Sequence, residues 1–167
     1  MKRLPYLLIF SVIAAGTLGC GTTSEQSLTD PRPLTTPGAK IGVIDVSNDT
    51  GELFDVDAIG TLWNALNESL NNKGLLWPGT SRTAPLKLEA RIIEFQKGSI
   101  WMRCLFPPMG NTVLAVRCNI KEGDQVIATA ETKKIFSIGN KGFTLGAWRK
   151  AFSSVAEDLV NQIVTST

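Results

Sequence analysis

The chain has 167 residues, 43% of them hydrophobic, with 17 basic and 15 acidic side chains and no histidine. The near-neutral balance, with no basic stripe, argues against a charge-driven nucleic-acid interface. The missing imidazole excludes Ser-His-Asp and Cys-His catalysis and removes the commonest metal ligand.

The first element, residues 1–19, has the layout of a secretory signal: Lys2 and Arg3 form a basic start, and Leu7 to Ala15 form an apolar run too short for a comfortable membrane span. As a pattern alone it also fits a cleaved signal before an ordinary cysteine, or an uncleaved anchor. The segment "TLGC" resembles the lipobox of bacterial lipoproteins, with small Gly19 before Cys20, although Thr17 stands where that family usually has leucine and Leu18 sits one place late. The resemblance implies diacylglycerol on the Cys20 thiol, cleavage before it, and a mature chain held by two or three acyl chains, enough for stable anchoring where one chain is not. Gly21 after the cysteine implies the outer membrane, facing the periplasm. Removal of Lys2 and Arg3 leaves fifteen basic residues against fifteen acidic ones, so the positive balance disappears.

Residues 20–38, "CGTTSEQSLTDPRPLTTPG", are polar and rich in Pro and Thr. They read as a flexible lipidated tether with a root-mean-square reach of about 23 Å. Residues 39–167 then form a single domain of about 130 residues.

"AKIGVIDVS" (39–47) carries apolar residues on both faces, as a central strand does. "NDTGELFD" is a turn. Ile59, Leu62, Trp63, Leu66 and Leu70 recur at helical spacing, with Asp55 or Asp57 as the cap and Gly74 as the stop. Gly60 costs that helix about 1 kcal/mol relative to Ala. "PLKLEARIIEF" alternates, with Leu86, Leu88, Ala90 and Ile92 on one face and Lys87, Glu89 and Arg91 on the other. "SIWMRC" and "TVLAVRCNI" read as the next two strands, "EGDQ" as a turn and "VIATAETKKIF" as a further strand. The last segment is an amphipathic helix with Trp148, Phe152, Val155, Leu159 and Ile163 on its buried stripe and Thr144 at its start. The order β-α-β-β-β-β-α predicts an α+β two-layer sandwich: a mostly antiparallel sheet with both helices packed on one face.

The stretch "IGVIDVSNDTGELFDVDAIGTLWNALNESLNNKG" resembles the opening β-α unit of the TolB amino-terminal domain and similar units in the curli-secretion lipoprotein and in lipoproteins that activate penicillin-binding proteins. The later half, from "LEARIIEFQKGSIWMRC" to the final helix, resembles uncharacterised lipoproteins of the domain-of-unknown-function kind. These are fold patterns. They carry no catalytic residue across.

Asp45, Asp49, Glu52, Asp55 and Asp57 suggest calcium, but counting from Asp45 puts Thr50 at the sixth place and Val56 at the twelfth, where a calcium loop needs Gly and Glu. Glu89 and Glu94 fall on opposite faces by parity, and Asp124 and Glu131 merely flank a strand, so no carboxylate pair for glycoside hydrolysis is evident. Trp63 and Trp148 read as core. Trp77 could cover a core edge or sit on a binding surface, and Trp101 depends on its strand register.

Cys104 and Cys118 bracket "LFPPMGNTVLAVR". With "FPPMGN" as a hairpin loop, Cys118 would face Ser99, and the two cysteines would be offset by about 16 Å along the strand. A disulfide needs Cα atoms within about 7 Å, so two buried thiols are the preferred reading of the pair. Leu105, Phe106 and Met109 at the loop tip either fold back on the core or form an exposed apolar patch for a protein or membrane contact.

The expectation is a non-catalytic accessory or assembly lipoprotein of the cell envelope. It is anchored to the membrane through lipid at Cys20 and contacts a protein partner through Leu105, Phe106, Met109 or Trp77, with no metal, no cofactor and no nucleic acid. The alternative is a binder of lipid or glycan in an apolar pocket between sheet and helices.

Overall fold

The structure, a computed structural model, describes residues 24–25, 38–98, 111–136 and 144–165. Its elements are β1 (Ser24–Glu25), β2 (Ile41–Asn48), α1 (Ala58–Asn72), a 3-10 turn (Ser81–Thr83), β3 (Leu86–Gln96), β4 (Thr112–Glu122), β5 (Gln125–Phe136) and α2 (Leu145–Thr165). They form one sheet in the order β1-β5-β4-β3-β2. The β3-β4-β5 meander is antiparallel, β2 runs parallel to β3 through the α1 crossover, and β1 pairs antiparallel with the end of β5. This is the expected α+β architecture, a mostly antiparallel sheet packed against two helices.

The core follows from alternation in the strands and 3.6-residue periodicity in the helices. Leu86, Leu88, Ala90 and Ile92 of β3 meet Leu114, Val116, Cys118 and Ile120 of β4 on the inward face, all buried. Over them lie Leu62, Leu66 and Leu70 of α1 and Trp148, Phe152, Val155, Leu159 and Ile163 of α2. The α2 stripe is the one predicted. In α1 the buried line is Ala58, Leu62, Ala65, Leu66, Ser69 and Leu70, whereas Ile59 is 44% exposed and Trp63 is half-buried on the flank. Ala65 lines a groove on the side of α1 that faces α2.

Asp57 caps α1, its Oδ1 accepting from the Gly60 N–H at 2.8 Å. A side chain at position 60 would collide with that carboxylate, so the helix-weakening glycine makes room for the cap. Thr144 caps α2, accepting from the Ala147 N–H at 3.2 Å. Gly123, at φ 60°, closes the two-residue turn between β4 and β5, where a left-handed residue matches the twist of the paired strands.

Three expectations change. First, β2 lies at the sheet edge beyond β3, not in the centre. Its apolar residues read as two-sided only because a bulge between Val43 and Asp45 changes the parity, so that Ile41, Val43 and Val46 all face the core. Ile41 and Val43 face the core, while Gly42 sits under the 3-10 turn, where a Cβ would stand 2.9 Å from the Ser81 backbone. Its outer edge is clasped as well, with Ile41 N–H donating to Leu75 O at 2.8 Å and Trp77 N–H donating to Ile41 O at 2.9 Å. Second, the expected strand 99–104 lies outside the described residues, and β4 pairs instead with β3 and β5 on its two edges. Cys118 therefore stands between Ala90 and Ala130 rather than opposite Ser99. Third, Ser24–Glu25, inside the segment expected to be a free tether, pairs with Lys134 and Lys133 of β5.

Candidate functional site

With both helices on one face, the other face of the sheet is open, and its chemistry is set by the outward residues of β3, β4 and β5. A bulge in β3 between Ile92 and Glu94 changes the parity after Ile92. Glu94 therefore pairs with Ala115 on the outward face, the same face as Glu89, which corrects the opposite-face expectation. Proximity on one face does not make the two an acid-base pair. Glu89 is engaged by Lys121 at 2.6 Å, Glu94 by Lys133 at 2.9 Å, and Glu131 by Arg117 at 2.9 Å. Asp124 sits in the β4–β5 turn. Without such counter-charges the register would be unfavourable, because it sets Lys87 against Lys121 and Arg91 against Arg117. The open face is thus a lattice of alternating charges that covers Ala115 with the stems of long side chains.

Three residues of the acidic stretch are committed in the same way, while Asp45 and Glu52 are exposed. Asp49 pairs with Arg91 at 3.5 Å and accepts from Ser47, Asp55 pairs with Lys97 at 2.6 Å, and Asp57 is the helix cap. Asn48 Oδ1 accepts from both the N–H and the hydroxyl of Thr50, forming a local turn. Among the described residues no group of three His, Cys, Asp or Glu side chains could hold a metal ion.

Cys118 is a free thiol, fully buried, and burial pushes its pKa up to about 12. A thiol so shifted is almost entirely protonated at neutral pH and is not a nucleophile. In the folded protein at pH 8, Cys118 is expected to resist iodoacetamide for hours and to alkylate within minutes once urea unfolds the chain. Peptide mapping reads this site by itself, and rapid labelling of the native protein would contradict the assignment. Cys104 lies outside the described residues, as do Leu105, Phe106, Met109, Trp101 and Cys20.

Trp77 is described. It is half-buried, its indole N–H reaches Thr83 Oγ1 at 3.4 Å, and its ring lies against Gly79. Its backbone N–H completes the clasp on Ile41. Trp77 thus covers the outer edge of β2 at its start.

Between the exposed flanks of α1 and α2 runs an open groove of about 670 Å³, lined by Asp57, Thr61 and Glu68 on one side and Leu145, Arg149 and Lys150 on the other. It lies between the helices, not between helices and sheet. The sheet–helix layer is closed by one continuous cluster of buried side chains. Sequence reasoning missed Leu53, 92% exposed in the β2–α1 loop, and the inward-facing Lys134 of β5. An apolar residue inside the turn "NDTGELFD" was the available signal for Leu53. For Lys134 there was none, since its strand reads equally well in either register.

No protein-family model matches the sequence, and no curated protein is significantly similar to it. Among solved structures, the PelC dodecamer from Paraburkholderia phytofirmans matches with a TM-score of 0.57 at 15% identity, covering 86% of this chain and 97% of that one. The protein XCC0632 from Xanthomonas campestris, assigned to a family of unknown function, matches with a TM-score of 0.55 at 12% identity, covering 84% and 94%. At these identities the likeness is one of fold. It spans nearly the whole of each neighbour.

Proposed function

We propose that this protein is a lipid-anchored lipoprotein of the bacterial envelope that works by assembling with other proteins, copies of itself included, rather than by catalysis. The observation that carries the reading is the amino-terminal pattern: a basic start, an apolar run too short to span a membrane, and Gly19-Cys20 followed by a polar segment. Among the described residues no helix is long and apolar enough to cross a membrane; in this reading, attachment comes from the lipid on Cys20. The fold shared with a protein that forms a dodecamer supports the assembly half of the proposal. The non-catalytic half is supported by an open sheet face on which Glu89, Glu94 and Glu131 are each paired with a cation, and by a thiol, Cys118, buried on the opposite face. The alternative of an apolar ligand pocket between sheet and helices draws no support from a layer already packed with side chains.

The test is Cys20→Ser. In cells fed radiolabelled palmitate, the native chain is expected to carry label and to sediment with membranes, and the variant is expected to lose the label and move to the soluble fraction. Label retained on the variant would remove the anchor from the proposal.

A further inference from the structure

We infer that the end of the domain at which both helices begin is turned toward the membrane, with Leu53, Ile59 and Leu145 in contact with the lipid surface. The inference rests on the anchoring role proposed for Cys20 and adds an orientation to it.

Two independent observations converge on the same end. The first is the direction of β1. Ser24 faces Lys134 and Glu25 faces Lys133, so β1 runs against β5. The chain before Ser24 therefore leaves toward the Phe136 end of β5. Cys20 is only four residues earlier, and an extended chain of that length spans at most about 14 Å. A leash that would reach about 23 Å as a free tether is thereby shortened, and it has a direction.

The second is where the exposed apolar side chains lie. The Phe136 end of β5 is also the Thr112 end of β4, the Gln96 end of β3 and the Asn48 end of β2. The β2–α1 loop and the first turn of α1 follow from Asn48. The first turn of α2 joins them, because Phe54 meets Trp148 at 5.6 Å and Phe95 at 4.1 Å. Five large hydrophobic side chains among the described residues are exposed. Three of them, Leu53, Ile59 and Leu145, are at this end. The other two, Val126 and Val164, are at the start of β5 and the end of α2, at the opposite end.

Most of the charge at this end is balanced. Asp49 and Asp55 are paired with Arg91 and Lys97, Asp57 caps α1, and exposed Glu52 beside Leu53 is set against exposed Arg149 and Lys150 one turn into α2. The contact is therefore apolar, aided by the acyl chains and weakly dependent on lipid charge. It stands the sheet roughly end-on to the membrane and leaves the charged open face accessible from the side, where a protein partner can reach it.

The experiment uses the full chain, expressed with its own leader, purified from membranes and reconstituted in phosphatidylethanolamine–phosphatidylglycerol vesicles with brominated acyl chains. A fluorescent amino acid is placed by codon suppression at Leu53, Leu145, Val126 or Val164, one position at a time. Emission from positions 53 and 145 is expected to fall to about half of that in unbrominated vesicles, and emission from 126 and 164 to change by less than about a tenth, as burial at the headgroup–acyl boundary predicts. The mass of the amino-terminal peptide is measured on the same samples. Acylated Cys20 with equal quenching at both ends, or stronger quenching at 126 and 164, overturns the orientation and leaves the anchor standing. An unmodified Cys20 overturns the anchor, and the orientation with it.

Discussion

Replacing Trp148 with alanine is expected to destabilise the domain by about 3–5 kcal/mol, a large part of the 5–15 kcal/mol that holds a typical domain together. Trp148 is 1% exposed in the first turn of α2 and is the largest of the fully buried side chains. Its ring stands edge-on to Phe54 at 5.6 Å, tilted against Phe95 at 5.7 Å and stacked on Phe152 at 5.6 Å. It therefore ties together three elements: the β2–α1 loop through Phe54, the end of β3 through Phe95, and α2 itself. Truncation removes the transfer energy of the indole and opens a cavity that three other rings cannot all close. Urea denaturation followed by far-ultraviolet circular dichroism reads the loss directly. Trp148→Phe should recover much of it, and Trp77→Ala, at a half-buried residue outside the core cluster, should cost under about 1 kcal/mol. A loss below about 1 kcal/mol for Trp148→Ala would mean that the aromatic corner is not what joins these elements.

The second large effect is expected at Lys134. This side chain is 4% exposed and faces inward, paired across the sheet with Leu114. Its ammonium meets Asp158 Oδ2 at 2.7 Å and donates to the Ser154 carbonyl at 2.9 Å and to the Ser154 hydroxyl. The pair fastens the middle of α2 to β5. Lys134→Met keeps most of the stem but leaves the carboxylate beside an apolar layer without its cation. Breaking a fully buried pair costs about 3–5 kcal/mol. Because Asp158 keeps about a quarter of its side chain in solvent, a loss of about 2–3 kcal/mol is expected here. The double variant Lys134→Met with Asp158→Ala should return to within about 1 kcal/mol of the native chain, since removing both partners removes the uncompensated charge as well. If single and double variants are equally unstable, the stem's packing carries the effect and the ion pair does not.

Much of the architecture was legible because periodicity and burial agree in this chain. The α2 stripe, the inward face of β3, the Asp57 cap and the Gly123 turn each follow from local rules that tertiary contacts leave in place. Where the reading failed, a non-local contact decided the outcome. β2 reads as central because a bulge between Val43 and Asp45 brings Val46 to the same inward face as Ile41 and Val43, which simple alternation splits over two faces; its outer edge is closed by Leu75–Trp77 rather than by another strand. The facing of Glu94 turned on a single bulge at Ile93, which alternation cannot reveal. β5 places Ala128, Ala130, Thr132 and Lys134 inward, a face polar enough to hide which side is buried. On the candidate surfaces, composition had already argued against a catalytic set. The three exposed apolar residues at one end were not legible, because Ile59 and Leu145 sit in helical patterns that look like core.

The parallel pair at the sheet edge also has a consequence for the order in which the domain assembles. Glu122 and Gln125 meet across two residues, and a hairpin of that kind closes within about 1–10 μs. Ile41 reaches Leu86 only after the whole α1 crossover and the Leu75–Trp77 clasp have been laid between them. Chain-closure entropy rises with the length enclosed, by about 0.6 kcal/mol for each doubling. The meander therefore forms before β2 joins it, with α1 arriving alongside β2 as a unit. Until it does, the β3 edge is a bare row of backbone donors and acceptors, and the same segment of a neighbouring chain can take the place that β2 will fill.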